Sequence, residues 1–299
     1  MNMSMFAFQG AVELGLIYSL LALGLFVSYR ILDIPDLTVD SSFTLGAAVS
    51  AVFATSGHSY LGLVMAIAAG WMAGMLTAFL QTKLQIQPIL AGILSMTALY
   101  SINLRVMSGR ANISLLGTDT LFSAATGKFG KLFTALAVVV VAGIFLVLFF
   151  RTQVGLCIRA TGDNEEMVRT SSINTDRMKF IGLGLANALV GLSGGLISQY
   201  QSFTDLSMGI GMVVVGLASL IIGEVIFGRP NVWRNVVAVI FGAVIYRCII
   251  AFVFARGLPT NDLKLISSVI VALAISYPLI IRRYRLMKLM REASHNVRA

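Results

Sequence analysis

Histidine and cysteine are almost missing from this chain, with two of each among 299 residues. His58 and His295 lie far apart, and neither Cys157 nor Cys248 falls in a spacing that a zinc site or a disulfide framework needs. Charge is scarce as well. Only 12% of the residues are Asp, Glu, Lys or Arg, about half the share of an ordinary soluble domain. No G-x-x-x-x-G-K-[ST] or H-E-x-x-H pattern occurs, so neither a P-loop for ATP nor a zinc-protease helix is encoded. No catalytic residue, metal or cofactor is therefore expected in the chain itself. Dense intramembrane carboxylates of the kind that proton relays use are lacking too.

What is abundant is apolar sequence: 58% of the residues are hydrophobic and the mean hydropathy is +0.89. Apolar runs fall near 10–29, 61–80, 88–104, 131–150, 180–198, 209–227, 236–254 and 265–281. A hydrocarbon core of ~30 Å takes about 20 helical residues to cross, and such runs satisfy their backbone groups in lipid only as helices or closed barrels. The expected fold is an all-α integral membrane protein, a bundle of about 8–10 transmembrane helices forming one domain over residues 1–299. The first run lacks a basic leader and has the length of a span, so it reads as a retained helix and not a cleaved signal. The net charge of +9 does not point to nucleic acid, because the basic residues sit at the ends of the runs and in the tail, as the positive-inside rule requires.

One stretch breaks the pattern. "ILDIPDLTVDSSFTLGAAVSAVF", residues 31–53, places Asp33, Asp36, Asp40 and Pro35 directly before an apolar segment. That segment, 43–55, covers only ~20 Å as a helix, so the missing length must come from the acidic residues. A broken or re-entrant span near 33–55 is expected, with an irregular entry around Pro35 and a helix starting near Ser41 or Ser42. Three readings of the acids stay open: a solvated turn; a structural role in which they bind the free backbone groups of a broken helix; and a functional one. In the functional reading the half-helix N-terminus near Ser41 and Ser42 attracts a carboxylate, and Asp36 or Asp40 pairs with an ammonium group. Met96, Tyr100 and Asn103 share a helix face and either line the same path or pack in the core; Asn187 is similar. Glu224 and Arg247 are expected to pair with each other or, for Glu224, to reach the inner surface.

Orientation follows from charge. Residues 151–179 hold Arg151, Arg159, Arg169, Arg177 and Lys179, and the tail 282–299 holds six Lys or Arg. Both are expected to be cytoplasmic, with 81–87, while 105–130 and 199–208 lie outside. The N-terminus is outside if 33–55 crosses once and inside if it re-enters. Within 151–179, Glu165 and Glu166 sit four and three residues before Arg169, a spacing for helical ion pairs, and Asp163 or Asn164 is placed to cap that helix. Taken alone, the segment also reads as a solvated amphipathic connector.

"GLCIRATGDNEEMVRTSSINTDRMKFIGLGLANALVGLSGGL" resembles the signature of ABC-transporter permeases of the branched-chain amino acid and ribose importer family. Gly155, Arg159, Gly162, Asn164, Ile173 and Asn174 match its Gly, basic, Gly-x-Asn and Ile-Asn positions. "DLTVDSSFTLGAAV", "QPILAGILSMTALYSINLRVMSGR" and "GLASLIIGEVIFGRPNVWRN" are similar to further family stretches in the same order. The sequence departs from sugar-type members at Asp40 and Glu224, where they often have Gly, and its style is similar to a subgroup associated with aromatic amino acids such as tryptophan. The resemblance implies a permease subunit of an importer for a small polar solute, an amino acid before a sugar or nucleoside. It implies that 151–179, with Asp163, Glu165 and Arg169, docks on a separate ATPase that binds ATP and Mg. The implied partners are a second permease copy, ATP-binding subunits and an extracytoplasmic substrate-binding lipoprotein, in a cell membrane with its lipids. The rivals are an ion-coupled secondary carrier and a non-transporting scaffold or sensor.

Overall fold

The computed structural model describes residues 5–123, 129–228 and 231–256, with scattered residues between 265 and 276. The expected span near 265–281 falls largely outside the described residues, and the basic tail 282–299 falls wholly outside them. The chain runs α1 (Met5–Leu25), a π-helical turn (Phe26–Ile31), α2 (Val39–Thr55), α3 (Ser59–Thr82), α4 (Pro88–Val106), β1 (Asn112–Ser114) and α5 (Gly130–Phe149). Then come α6 (Gln153–Asp163), α7 (Glu165–Thr170), α8 (Thr175–Gln201), β2 (Phe203–Asp205), α9 (Met212–Phe227) and α10 (Val232–Ala255). The protein is an all-α membrane bundle. Among the described residues, six helices are long and apolar enough to cross a membrane, and α2 and α9 are shorter apolar helices.

Local sequence sets several boundaries. Pro88 opens α4, where its missing N–H costs nothing. The Asn164 side chain accepts the Met167 N–H to start α7, and the Asn174 side chain accepts the Arg177 N–H to start α8. Of the two capping candidates before α7, Asn164 takes the role. Helix α8 begins at Thr175, five residues before the apolar run near 180–198, because this cap sits in the polar segment.

The core is organised around α1 and α8, whose apolar windows are 83% buried, against 28% for α4 and α5. The outward faces of α3, α4 and α5 carry large apolar side chains such as Val64, Ile93 and Phe145, as a lipid-facing surface does. Helix α8 packs against α2 and α3 through small residues. A Cβ on Gly46 would come within 2.1 Å of the Gly191 carbonyl, and one on Gly74 within 2.2 Å of the Leu183 carbonyl. Such backbone approach is how helices associate in lipid without a hydrophobic drive.

The faces sort as the charges require. Strand β1 pairs antiparallel with β2, Asn112 opposite Asp205, so 105–130 and 199–208 share one face. On the other face, Lys83 and Asp176 pair at 3.3 Å, joining 81–87 to 151–179. Helix α1 ends on this basic face, where Ile31 meets Gly162 of α6. Helix α2 leads to the opposite face, where Ala51 and Ala54 pack on Leu115. Helix α2 thus runs from the basic face to the opposite one, as a single crossing and not a re-entrant loop would, and the N-terminal end of α1 lies opposite the basic loop.

Candidate functional site

The break is real and lies over residues 32–38, between the π-helical turn and α2. Asp33 adopts φ 55°, a left-handed conformation that Asp tolerates better than most residues. The helix after the break starts at Val39, two residues before Ser41, but neither serine caps it; Thr38 holds the cap position. Their hydroxyls are drawn to partners across the bundle: Ser41 donates to the Met96 carbonyl at 2.9 Å, and Ser42 to Asn187 Oδ1 at 2.7 Å. Tertiary acceptors on α4 and α8 outcompete the local capping role.

Asp36 is 2% exposed and its carboxylate is fully engaged. It accepts the Thr38 N–H at 2.9 Å and the Asn187 side-chain amide at 2.7 Å. That amide also donates to the Leu183 carbonyl at 3.0 Å. Asn187 thereby joins the break to α2 and α8 through Asp36, Ser42 and its own helix. A second chain of hydroxyls runs from Thr38 to Thr77, 2.7 Å apart, and on to Ser95 at 2.8 Å. Of the sequence readings, the structural one accounts for Asp36: it supplies acceptors to the backbone and side chains where the helix is interrupted.

Asp40 is committed elsewhere. Its two oxygens accept the Gly211 and Val213 N–H groups, both at 2.9 Å, so it serves the N-terminus of α9, 171 residues away in sequence. A carboxylate there meets the positive end of the helix dipole. Asn103 is buried and donates to the Ser41 carbonyl at 3.2 Å, while its Oδ1 has no hydrogen-bond partner among the described residues. Met96 and Asn103 therefore meet Ser41, whereas Tyr100 is 55% exposed and points away. Asp36, Ser42 and Asn187 form one cluster, Ser41, Met96 and Asn103 a neighbouring one.

Glu224 pairs with Arg30 at 3.0 Å and not with Arg247, whose guanidinium lies 3.8 Å from the Tyr18 ring centroid, a cation–π contact. Glu13 was not singled out by sequence; it accepts from Tyr200 at 2.7 Å and Gln9 at 2.9 Å. The run Gly191–Gly195 also spells G-x-S-x-G, but Ser193 sits within α8 and donates to the Ile17 carbonyl at 2.9 Å, with no nucleophile turn.

Segment 151–179 abuts the break. A Cβ on Gly162 would fall 1.9 Å from the Ile31 carbonyl, and just beyond the segment, in α8, one on Gly182 would fall 2.5 Å from the Leu32 side chain. Gly155 packs with equal closeness on Phe149 and Phe150. Glu165 knits the segment together: it pairs with Arg169 at 2.9 Å and with Lys179 at 2.7 Å, and accepts from Thr175 at 3.2 Å. Burial alone would raise its pKa, but the Lys179 and Arg169 charges and hydrogen bonds outweigh that and lower it. Arg159 and Asp163 are exposed, and Ile173 lies in the turn between α7 and α8.

Residues 8–281 match the family model described as branched-chain amino acid transport system / permease component. A tyrosine transport system permease protein of Clostridioides difficile is 40% identical, over 86% of each chain. A probable branched-chain amino acid transport permease protein of Methanocaldococcus jannaschii is 25% identical over 72% of this chain and 73% of its own. A ribose import permease protein of Escherichia coli K12 is 23% identical over 80% and 75%. No solved structure matches the chain significantly.

Proposed function

The chain belongs to the branched-chain amino acid transport system permease family, and from that premise we propose that it is the membrane subunit of an ABC importer for an amino acid, an aromatic one first. It holds no ATP itself. Cytoplasmic ATPase subunits bind ATP and Mg and grip segment 151–179; a second permease copy completes the pathway, and an extracytoplasmic lipoprotein delivers the substrate. The tail and the 151–179 loop are cytoplasmic in this reading.

The observation that carries it is the seat of Gly162 on the Ile31 carbonyl, one residue before the break. A force on α6 meets the interrupted backbone directly, with no side chain between to absorb it. The break is held by discrete hydrogen bonds from Asp36, Asn187, Ser41 and Ser42, a set that can exchange between two arrangements as a gate must. Substrate passes beside Met96 and Asn103, which meet Ser41, while Tyr100 faces away from this path. The aromatic preference rests on the 40% identical relative, named for tyrosine transport.

The test is assembly. Co-expressed with a candidate ATPase subunit from the same genome, the wild-type permease should co-purify with it. Arg159→Glu combined with Asn164→Ala should lose that association while still inserting into the membrane. Undiminished association in the double variant would refute the docking assignment.

A further inference from the structure

On the basic face a cleft of about 470 Å³ opens between the end of α1, α6 and the start of α10, lined by Arg30, Asp33, Arg159, Asp163, Asn231 and Asn235. A second hollow of about 320 Å³ shares Arg159 and Asn231 and continues past Arg151 to Val147, Phe150 and Trp233. The first is lined mainly by polar side chains, with Ile31 and Val232 at its wall. The second turns apolar as it reaches the ends of α5 and α10, beside the outward-facing Phe145 and Leu148.

The charges in the first cleft are of both signs and do not satisfy one another. Arg30 is taken by Glu224. Among the described residues, Asp33, Asp163, Arg159 and Arg151 make no ion pair within 4.0 Å, although three of them border the same cleft. The Asn235 Oδ1 is buried without a hydrogen-bond partner. Asn231 makes no side-chain cap to α10, so the first N–H groups of that helix also face this region unsatisfied by it. Opposite charges spaced too far apart to pair are complementary to a ligand that carries both charges. Trp233 is 54% exposed, and tryptophan at a helix end marks the headgroup level of a bilayer.

We propose that these two hollows form a binding site for a phospholipid with a primary-amine headgroup, the phosphatidylethanolamine class. Its phosphate lies between Arg159 and Arg151 at the start of α10, where guanidinium groups and helix N–H groups favour an anion. Its ammonium reaches Asp163 and Asp33. Its acyl chains leave over Val147, Phe150 and Trp233 into the bilayer. The cleft's volume lies within the ~300–1,000 Å³ typical of ligand sites, and basic pockets between membrane helices hold anionic headgroups through phosphate, the group this lipid shares with them. The lipid would rest against Gly162 and Ile31, the joint between α6 and the break. Arg159 and Asp163 also belong to the segment assigned to ATPase docking, so the site is that of the permease before those subunits engage, and it does not depend on which solute is carried.

The experiment uses the full-length permease, purified without its partners, delipidated, and offered an equimolar mixture of phosphatidylethanolamine, phosphatidylcholine and phosphatidylglycerol of one acyl composition. Native mass spectrometry should show the ethanolamine lipid retained at least about tenfold over the choline lipid, whose methylated ammonium donates no hydrogen bond, as loss of one charged contact implies. Asp33→Asn with Asp163→Asn should abolish that preference; Arg151→Gln with Arg159→Gln should weaken retention of all three. Size-exclusion profiles report folding, and the single variant D163N, at an exposed position, keeps the test open if a double variant fails to fold. Equal retention of the three lipids, an unchanged preference in the aspartate variants, or displacement by soluble glycerophosphoethanolamine or by tyrosine at comparable concentration would each overturn the proposal.

Discussion

Replacing Asn187 by Leu would strip the Asp36 carboxylate of one donor and the Ser42 hydroxyl of its acceptor in one step. An unsatisfied buried polar group costs about 1–3 kcal/mol, so the variant should melt well below the wild type in a fluorescence-monitored unfolding experiment. Thr97→Val, at an exposed site whose hydroxyl bonds only its own helix, should be close to neutral. Equal melting of the two variants would contradict the role given to Asn187. Asp40→Ala should destabilise by about 0.5–2 kcal/mol as the loss of a helix cap, with the effect localised by hydrogen exchange to the first turn of α9. Glu165 gives a pH signature. Its folded-state pKa is lowered from 4.5, so its stabilising contribution is fully present above 4.5 and is lost as pH falls through the folded value below that. Wild type should therefore melt higher than Glu165→Gln at neutral pH, with the gap closing only in acid below 4.5. A gap that is constant across that range would contradict the pairing.

At the scale of elements, the seat of α6 on the break is the most sensitive joint. Gly162→Val cannot be accommodated with its Cβ 1.9 Å from the Ile31 carbonyl, so α6 must lift away. Insertion should survive, because the spans are untouched, while a cysteine pair spanning α6 and the end of α1 should lose its cross-linking; retained cross-linking would show that the contact is not tight. How much of this was legible in the sequence divides along physical lines. The break could be read because Pro35 and three carboxylates cannot continue a span, and Asn164 and Asn174 could be read because capping is local. The cap of α2 could not. Ser41 and Ser42 have the right chemistry for caps, but carbonyls on α4 and α8 offer them better partners. Asp40 reads as a path residue for the same reason: its partner is a helix start 171 residues on, invisible to any local pattern. The pairing of Glu224 with Arg30 in place of the expected Arg247 was equally a matter of packing, since both arginines are chemically competent.

The whole molecule is built around two buried helices, α1 and α8, with α8 joining the basic segment 151–179 to the centre of the bundle beside the break. That connectivity makes a single mechanical unit of the Asn174 cap, the Glu165 cluster and the Asn187 hub, all on or against α8. In the proposed reading, a gate so arranged takes its force from outside, at one end. Proteoliposomes holding the purified permease, with its binding protein and radiolabelled tyrosine outside, measure this most directly. Uptake should require the ATPase subunits and internal ATP, and should persist when proton and sodium gradients are collapsed. Full-rate uptake by the permease without those subunits, driven by an ion gradient, would contradict the account.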